Sequence, residues 1–176
     1  MELTEAIKTR RSIRKYQDKE ISNELIEKII DNAHWAPSGM NIQPWQFVVI
    51  KDKEKLKTIS KMYADARDRM GIYKQDTSFI EYINLILVLS SKEQPWAINN
   101  CHYAIQNILL SAKSESLGSL CLGALMQPED VTKLKQMCKV PENLELIMPV
   151  VIGYPDEQPE PTKRKSVSNI LHYDSF

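Results

Sequence analysis

The run Leu85-Ile-Leu-Val-Leu89 constrains this chain more than any other stretch. Successive side chains of a strand point to opposite faces, so an unbroken apolar run needs cover on both sides of its sheet. The rest of the chain supplies helices that could provide it. Leu3, Ala6 and Ile7 recur at helical spacing, and Leu25, Ile26, Ile29, Ile30 and Ala33 form a second stripe. Ser22 is a good N-cap for that second helix, Ile21 and Ile26 are placed as a hydrophobic staple, and Pro37 stops it. Asp52 starts a third helix carrying Leu56, Ile59 and Met62. Ile98, Cys101, Ile105, Ile108 and Ala112, with Ala104 and Leu109 beside them, give the broad stripe of a helix at the heart of the fold. Pro128 opens a shorter helix bearing Val131, Leu134 and Met137.

Between the helices, Gln46-Phe-Val-Val-Ile50 and Ser119 to Leu125 read as further strands, the latter after a helix stop at Leu117-Gly118. Leu146 to Gly153 reads as the last core strand, and Pro141 and Pro149 argue for an edge or an irregular entry there. Ala64 to Tyr82 is the least readable stretch. With 176 residues and neither repeats nor a linker, a single domain over 1–176 is expected. Lys+Arg and Asp+Glu are 23 each, so no global field favours nucleic acid or an anionic membrane. The sequence has no apolar run of about 18 residues and no leader, which points to a cytoplasmic protein. Cys101, Cys121 and Cys138 are widely spaced in apolar surroundings and read as buried thiols. His34, His102 and His172 are scattered, so no metal site is expected.

Only five glycines occur, and none builds the G-x-G-x-x-G turn of a dinucleotide fold. Gly118 and Gly123 have the gap of a P-loop, but Ala124-Leu125 follow where the lysine and hydroxyl belong. A nucleotide phosphate would therefore need side-chain cations. Arg10, Arg11, Arg14 and Lys15 crowd around Ser12 just where the first helix ends, and Lys163, Arg164 and Lys165 form a second basic cluster. Two readings stand: cations complementing a helix C-terminus on a solvated face, or a phosphate dianion held between the clusters.

A second pair of readings attaches to Ala36-Pro-Ser-Gly-Met-Asn-Ile-Gln-Pro-Trp45. It is either a rigid turn with Trp45 as core anchor, or a wall for a planar heterocycle with a polar edge. Gly39 could take φ > 0 or let a flat ligand approach, and Pro44 biases Gln43 toward an extended conformation. Asp156 to Arg164 is polar and proline-rich, an extended arm, and Val167, Ile170, Leu171 and Tyr173 after it favour docking over fraying. No hydrolytic signature is present, which favours a cofactor as carrier of the chemistry.

With these residues together, the chain resembles the nitroreductase family of FMN-dependent NAD(P)H oxidoreductases. Arg10-Arg-Ser-Ile-Arg-Lys-Tyr16 resembles the family's phosphate motif, and Ala36 to Trp45 its flavin-face loop. Leu117-Gly-Ser-Leu-Cys-Leu-Gly123 is similar to its strand behind flavin N5, and Ile152-Gly-Tyr-Pro155 with Lys163-Arg-Lys165 to its C-terminal signature. The resemblance implies an α+β fold, a central, mostly antiparallel sheet sandwiched by helices, and a homodimer with a C-terminal arm (155–176) reaching the partner. It implies bound FMN, NADH or NADPH as donor, and a two-step hydride transfer through flavin N5 to a nitroaromatic, quinone or similar acceptor.

Site residues follow from the same resemblance. Arg10 and Ser12, with Arg11 beside them, would hold the phosphate and ribityl end, and Arg14 the pyrimidine edge. Pro37, Ser38, Gly39 and Asn41 would approach the ring from the other subunit. Leu122 and Gly123 would present N–H groups to N5, Gln75 would lie on the flavin edge, and Lys163, Arg164 and Lys165 would close on the phosphate. No protein residue need be catalytic. Alternative tasks on the same fold are a non-turnover flavin-binding or regulatory protein, and a dehydrogenase, dehalogenase or flavin-consuming enzyme. The connection Ser90 to Trp96 is short, which implies a minimal lid over the site.

Overall fold

In the computed structural model, which describes residues 1–72 and 76–176, the strands are β1 (Trp45–Ile50), β2 (Asn84–Ser91), β3 (Gly118–Cys121) and β4 (Leu144–Gly153). They form a four-stranded sheet in the order β1-β2-β4-β3, every pairing antiparallel. The helices are α1 (Leu3–Thr9), α2 (Asn23–His34), α3 (Lys53–Arg69), α4 (Ala97–Ser114) and α5 (Pro128–Met137). The α+β sandwich expected from the resemblance is thus the observed architecture.

The Leu85 run lies at the centre and divides two cores by its pleat. Leu85, Leu87 and Leu89 share one core with Leu56 and Ile59 of α3 and Leu134 of α5. Ile86 and Val88 face the other way, into Ile26 and Ile29 of α2 and Ile105 and Ile108 of α4. All five run residues are buried. At about 2 kcal/mol for each buried aliphatic side chain, the run supplies on the order of 10 kcal/mol of gross burial, which fixes β2 as the strand the layers are built on.

Local signals set the helix starts. Ser22 accepts from the Leu25 N–H, with Ile21 and Ile26 both buried, and Asp52 accepts from the Lys55 N–H. Pro128 occupies the first turn of α5. Two stripes are narrower than their spacing suggested: Ile98 of α4 is exposed, and α1 buries only Ala6, leaving Leu3 and Ile7 in solvent. The stretch from Ala64 resolves into the last turns of α3, and a 3-10 turn spans Ser78–Tyr82.

Two strand-level expectations are corrected and a third is decided between its alternatives. Pro149 lies in a central strand, not at an edge, and the irregular entry holds: the β2–β4 register shifts at Ile147, between the pairs Val88–Met148 and Leu89–Leu146. Its carbonyl accepts the Leu122 N–H on the β3 side, just beyond the last β3 pair at Cys121 and Val150, so its missing N–H faces a place where the neighbouring strand has already ended. β3 stops at Cys121 and gives way to a 3-10 turn, Gly123–Met126, so no strand continues to Leu125. The left-handed residue closing α4 is Ser116 (φ 61°), and Gly118 is already β-strand.

Candidate functional site

The basic segment after α1 is held open by its own chemistry. Arg11 Nη1 donates to the carbonyls of Lys8 and Arg10, both at 2.8 Å, which satisfies the helix end and makes Arg11 a C-terminal cap. The chain then runs extended along the outer edge of β3, with a parallel bridge between Ser12 and Ser119 and a bond from the Ile13 N–H to the Ser119 carbonyl (3.1 Å). Farther on, Tyr16 bridges Pro155, and the Gln17 N–H donates to the Tyr154 carbonyl (2.9 Å). Alternation buries Ile13 in the core and leaves Ser12 and Arg14 half-buried.

Two glycines make this approach possible. A Cβ on Gly118 would fall 2.8 Å from Ile13 Cγ1, and one on Gly153 would fall 2.6 Å from Tyr16 Cδ1. Each is glycine because another segment crosses its Cα, not because of its dihedrals. The base of the arm completes the clamp: Glu157 Oε1 accepts from the backbone N–H groups of Arg14 and of Lys15 (3.2 Å). Glu157 is a residue that motif spacing did not single out, since one carboxylate in a polar arm has no periodic signal.

Four of the expected site residues, Arg10, Arg11, Ser12 and Arg14, thus lie on one segment seated against β3, and two more, Leu122 and Gly123, follow the end of that strand. The Arg10 guanidinium lies near enough to Cys121 to oppose the rise that burial gives that thiol's pKa. Leu122 is buried, and its N–H already binds the Pro149 carbonyl (2.9 Å), so it has no donor to offer. Gly123 differs. It opens a 3-10 turn, is exposed, and a Cβ there would meet nothing within 4 Å. Among the described residues its N–H has no acceptor.

Behind the segment, an open cavity of about 430 Å³ is lined by Arg10, Arg11, Ile13, Lys113, Ser119 and the arm from Glu157 to Pro161. Tyr16, on the same segment, lies in the core: its hydroxyl is buried without a partner, and burial, with the Glu157 carboxylate next in effect, pushes its pKa far above the ordinary 10.0.

The Ala36 to Trp45 loop sits apart, next to the start of α4. Ser38 Oγ accepts from the Gln43 N–H (3.0 Å), and Trp45 is buried in the α2 and α4 core as an anchor. Its dihedrals correct two expectations. Gly39 is not left-handed; it is glycine because a Cβ would lie 3.1 Å from Trp96 Cε3. Gln43 is left-handed (φ 49°) despite Pro44, as are Met40 (φ 52°) and Asn41 (φ 55°). Among the described residues no hydrogen bond or ion pair joins this loop, or the exposed Lys163, Arg164 and Lys165, to the Arg10 segment. Gln75 lies outside the described residues.

Comparison with known proteins bears on the family and the fold. The model of the Nitroreductase family matches residues 7–154. A relative from Archaeoglobus fulgidus, provisionally named NADH dehydrogenase/NAD(P)H nitroreductase, is 36% identical over 157 residues, 89% of this chain and 87% of its own. An iodotyrosine deiodinase from Thermotoga neapolitana is 27% identical over 99% of this chain and 98% of its own. Among solved structures, an FMN-dependent nitroreductase from Clostridium difficile superposes with a TM-score of 0.81 at 27% identity, covering 98% of this chain and 99% of that one.

Proposed function

The chain belongs to the nitroreductase family and is an oxidoreductase, and from that premise we propose that it binds FMN and uses NADH or NADPH to reduce an electron-poor acceptor such as a nitroaromatic or quinone. One observation carries the reading. The Arg10 to Tyr16 segment is seated against β3 at Ser119, and that strand leads into Gly123, where an unblocked N–H and an empty Cβ position leave room for a flat ring against the backbone. When bound there, FMN would supply reversible two-electron transfer between the nicotinamide and the acceptor.

The chain's own residues bind and bias. Arg10 and Ser12 would take the phosphate and ribityl end, with Arg11 holding the turn that presents them. Arg14, at the pyrimidine edge, would favour negative charge on the ring. Gly123 N–H would face N5, while Leu122 fixes the strand end beneath it. Pro37, Ser38, Gly39 and Asn41 would come from the second subunit, which fits their separation from the Arg10 segment within one chain. Gln75 would approach the flavin edge, and Lys163, Arg164 and Lys165 would fold over the phosphate, neutralising it as the absent glycine loop would otherwise do.

A homodimer follows from this division. The outer edge of β1 has no strand partner among the described residues, and a groove of about 620 Å³ between α2 and β1 is lined by Ile26, Ile30, Trp45 and Phe47. Val167, Ile170, Leu171 and Tyr173 of the arm are all exposed, an apolar segment suited to such an edge on a partner subunit. Among the described residues no helix is long and apolar enough to cross a membrane, in keeping with a cytoplasmic enzyme. The deiodinase relative favours one second reading, reductive removal of halide from an aryl ring on the same flavin.

An anaerobic titration of FMN-loaded protein with NADH and then NADPH, followed by nitrofurazone or an aryl iodide, tests the reading. The flavin band bleaches with at least one donor and returns with the true acceptor. Protein that takes up no FMN refutes the proposal, and protein that binds FMN without bleaching is the non-turnover flavoprotein instead.

A further inference from the structure

The connection from β2 to α4 spans only residues 92–96, and it ends in an unusual way. Trp96, the residue before α4, holds a left-handed backbone (φ 55°, ψ 15°) that costs a bulky side chain free energy. The residue is 60% exposed. The part that is covered lies on Gly39, whose missing Cβ would stand 3.1 Å from Cε3. The loop beneath is strained too, with Met40, Asn41 and Gln43 all at positive φ. Strain on both sides of one contact persists only where the surroundings hold it in place, and such contacts concentrate at ligand clamps. A large apolar ring is thus fixed in the open, directly over the loop read above as flavin-facing.

We infer that Trp96 is the stacking platform of the acceptor subsite and selects planar, electron-poor aromatic rings over acceptors with no ring face. The inference rests on the proposed placement of Ser38 to Asn41 at the partner's flavin. An indole is electron-rich and pairs with an electron-deficient ring in an offset stack. With so short a connection between β2 and α4, no lid from that loop covers the acceptor, and a fixed aromatic wall supplies the orientation a lid would give. Met40, next to Gly39 in the chain and exposed, offers a second apolar side chain able to adapt to different ring shapes.

The test compares FMN-loaded wild type, Trp96→Leu and Trp96→Phe with two oxidants, nitrofurazone and ferricyanide. In a two-step cycle kcat/KM for the oxidant is independent of the donor, so the two values can be set against each other directly. The ratio of kcat/KM for nitrofurazone to that for ferricyanide is expected to fall about five- to ten-fold in Trp96→Leu, chiefly through KM, and less in Trp96→Phe. FMN occupancy and dimer mass, measured on the same samples, stay at wild-type values. Equal changes for both oxidants, an unchanged ratio, or joint loss of FMN and dimer would each overturn the inference, the last by making Trp96 an interface residue. A wild type that binds no FMN, or whose bound FMN is not bleached by NADH or NADPH, would instead remove the functional reading, and this inference with it.

Discussion

Replacing Gly123 with alanine separates the two demands the site makes on that residue. Nothing lies within 4 Å of the position a Cβ would take, and the backbone there is not left-handed. The apo protein should therefore tolerate the methyl group, changing stability by no more than about 0.5 kcal/mol and gaining slightly through the less flexible unfolded chain. FMN binding should not tolerate it. If the ring packs against this backbone, the methyl group occupies its contact distance, and a loss of about 2.7 kcal/mol raises the Kd about 100-fold. With FMN at about 100 times the wild-type Kd, linkage stabilises wild type by about 2.7 kcal/mol and the variant by only about 0.4 kcal/mol. For a chain of this size that is an upward Tm shift of about 5–11 °C against about 1–2 °C. Thermal melts with and without FMN read both quantities. Equal FMN shifts in the two proteins would refute the placement of the ring, and a lower apo Tm in the variant would refute the open cradle itself.

Other expectations follow from groups already described. Tyr16→Phe removes a buried hydroxyl with no partner and should stabilise the fold by about 1 kcal/mol, seen as a higher urea midpoint at unchanged m; a lower midpoint would mean the hydroxyl has a partner. Arg69→Met removes the guanidinium that binds Asp130, which is 1% exposed, and should cost about 2–3 kcal/mol in the same assay because a carboxylate is left buried without its cation; a loss below about 1 kcal/mol would contradict this. Burial raises the thiols of Cys101, Cys121 and Cys138 above their ordinary 9.0, and Tyr16 above its ordinary 10.0. The unfolded chain therefore loses these protons first, so stability is full below pH 9.0 and declines as pH rises beyond it. Urea melts from pH 7 to about 10.5 should show that decline, and a rise in stability over the range would reverse the sign of the linkage.

The parts of the fold that were legible in sequence are those fixed by local chemistry. The pleat of Leu85 to Leu89, the caps at Ser22 and Asp52, and Pro128 at the start of α5 each act within one turn or one strand. What escaped depends on distant neighbours. Pro149 is harmless in a central strand only because β3 ends beside it, and Gly118 answers to Ile13, far away in the chain. Gln43 disobeys the bias of Pro44 because Ser38 Oγ takes its N–H and holds the turn. The same division runs through the site. Arg10, Arg11, Arg14 and Lys15 were visible as a charge cluster around Ser12, but Arg11 turned out to cap its own helix, Leu122 had its donor already engaged, and Glu157 and Trp96 carried no spacing signal at all.

The clamp that Glu157 places on Arg14 joins residues 143 apart in sequence. Its other supports are also remote, Ser119 for Ile13 and Tyr154 for Gln17. During synthesis on the ribosome the Arg10 segment therefore emerges well before the residues that seat it, Ser119, Tyr154 and Glu157. Contacts of such long separation are slow to close and form late. A nascent or truncated chain can assemble α2, α3 and the β1–β2 pair yet offer no seat for an anion. Loading of the proposed FMN would then report that synthesis has passed Glu157, and a chain cut short before Tyr154 should stay colourless however well its remaining helices fold.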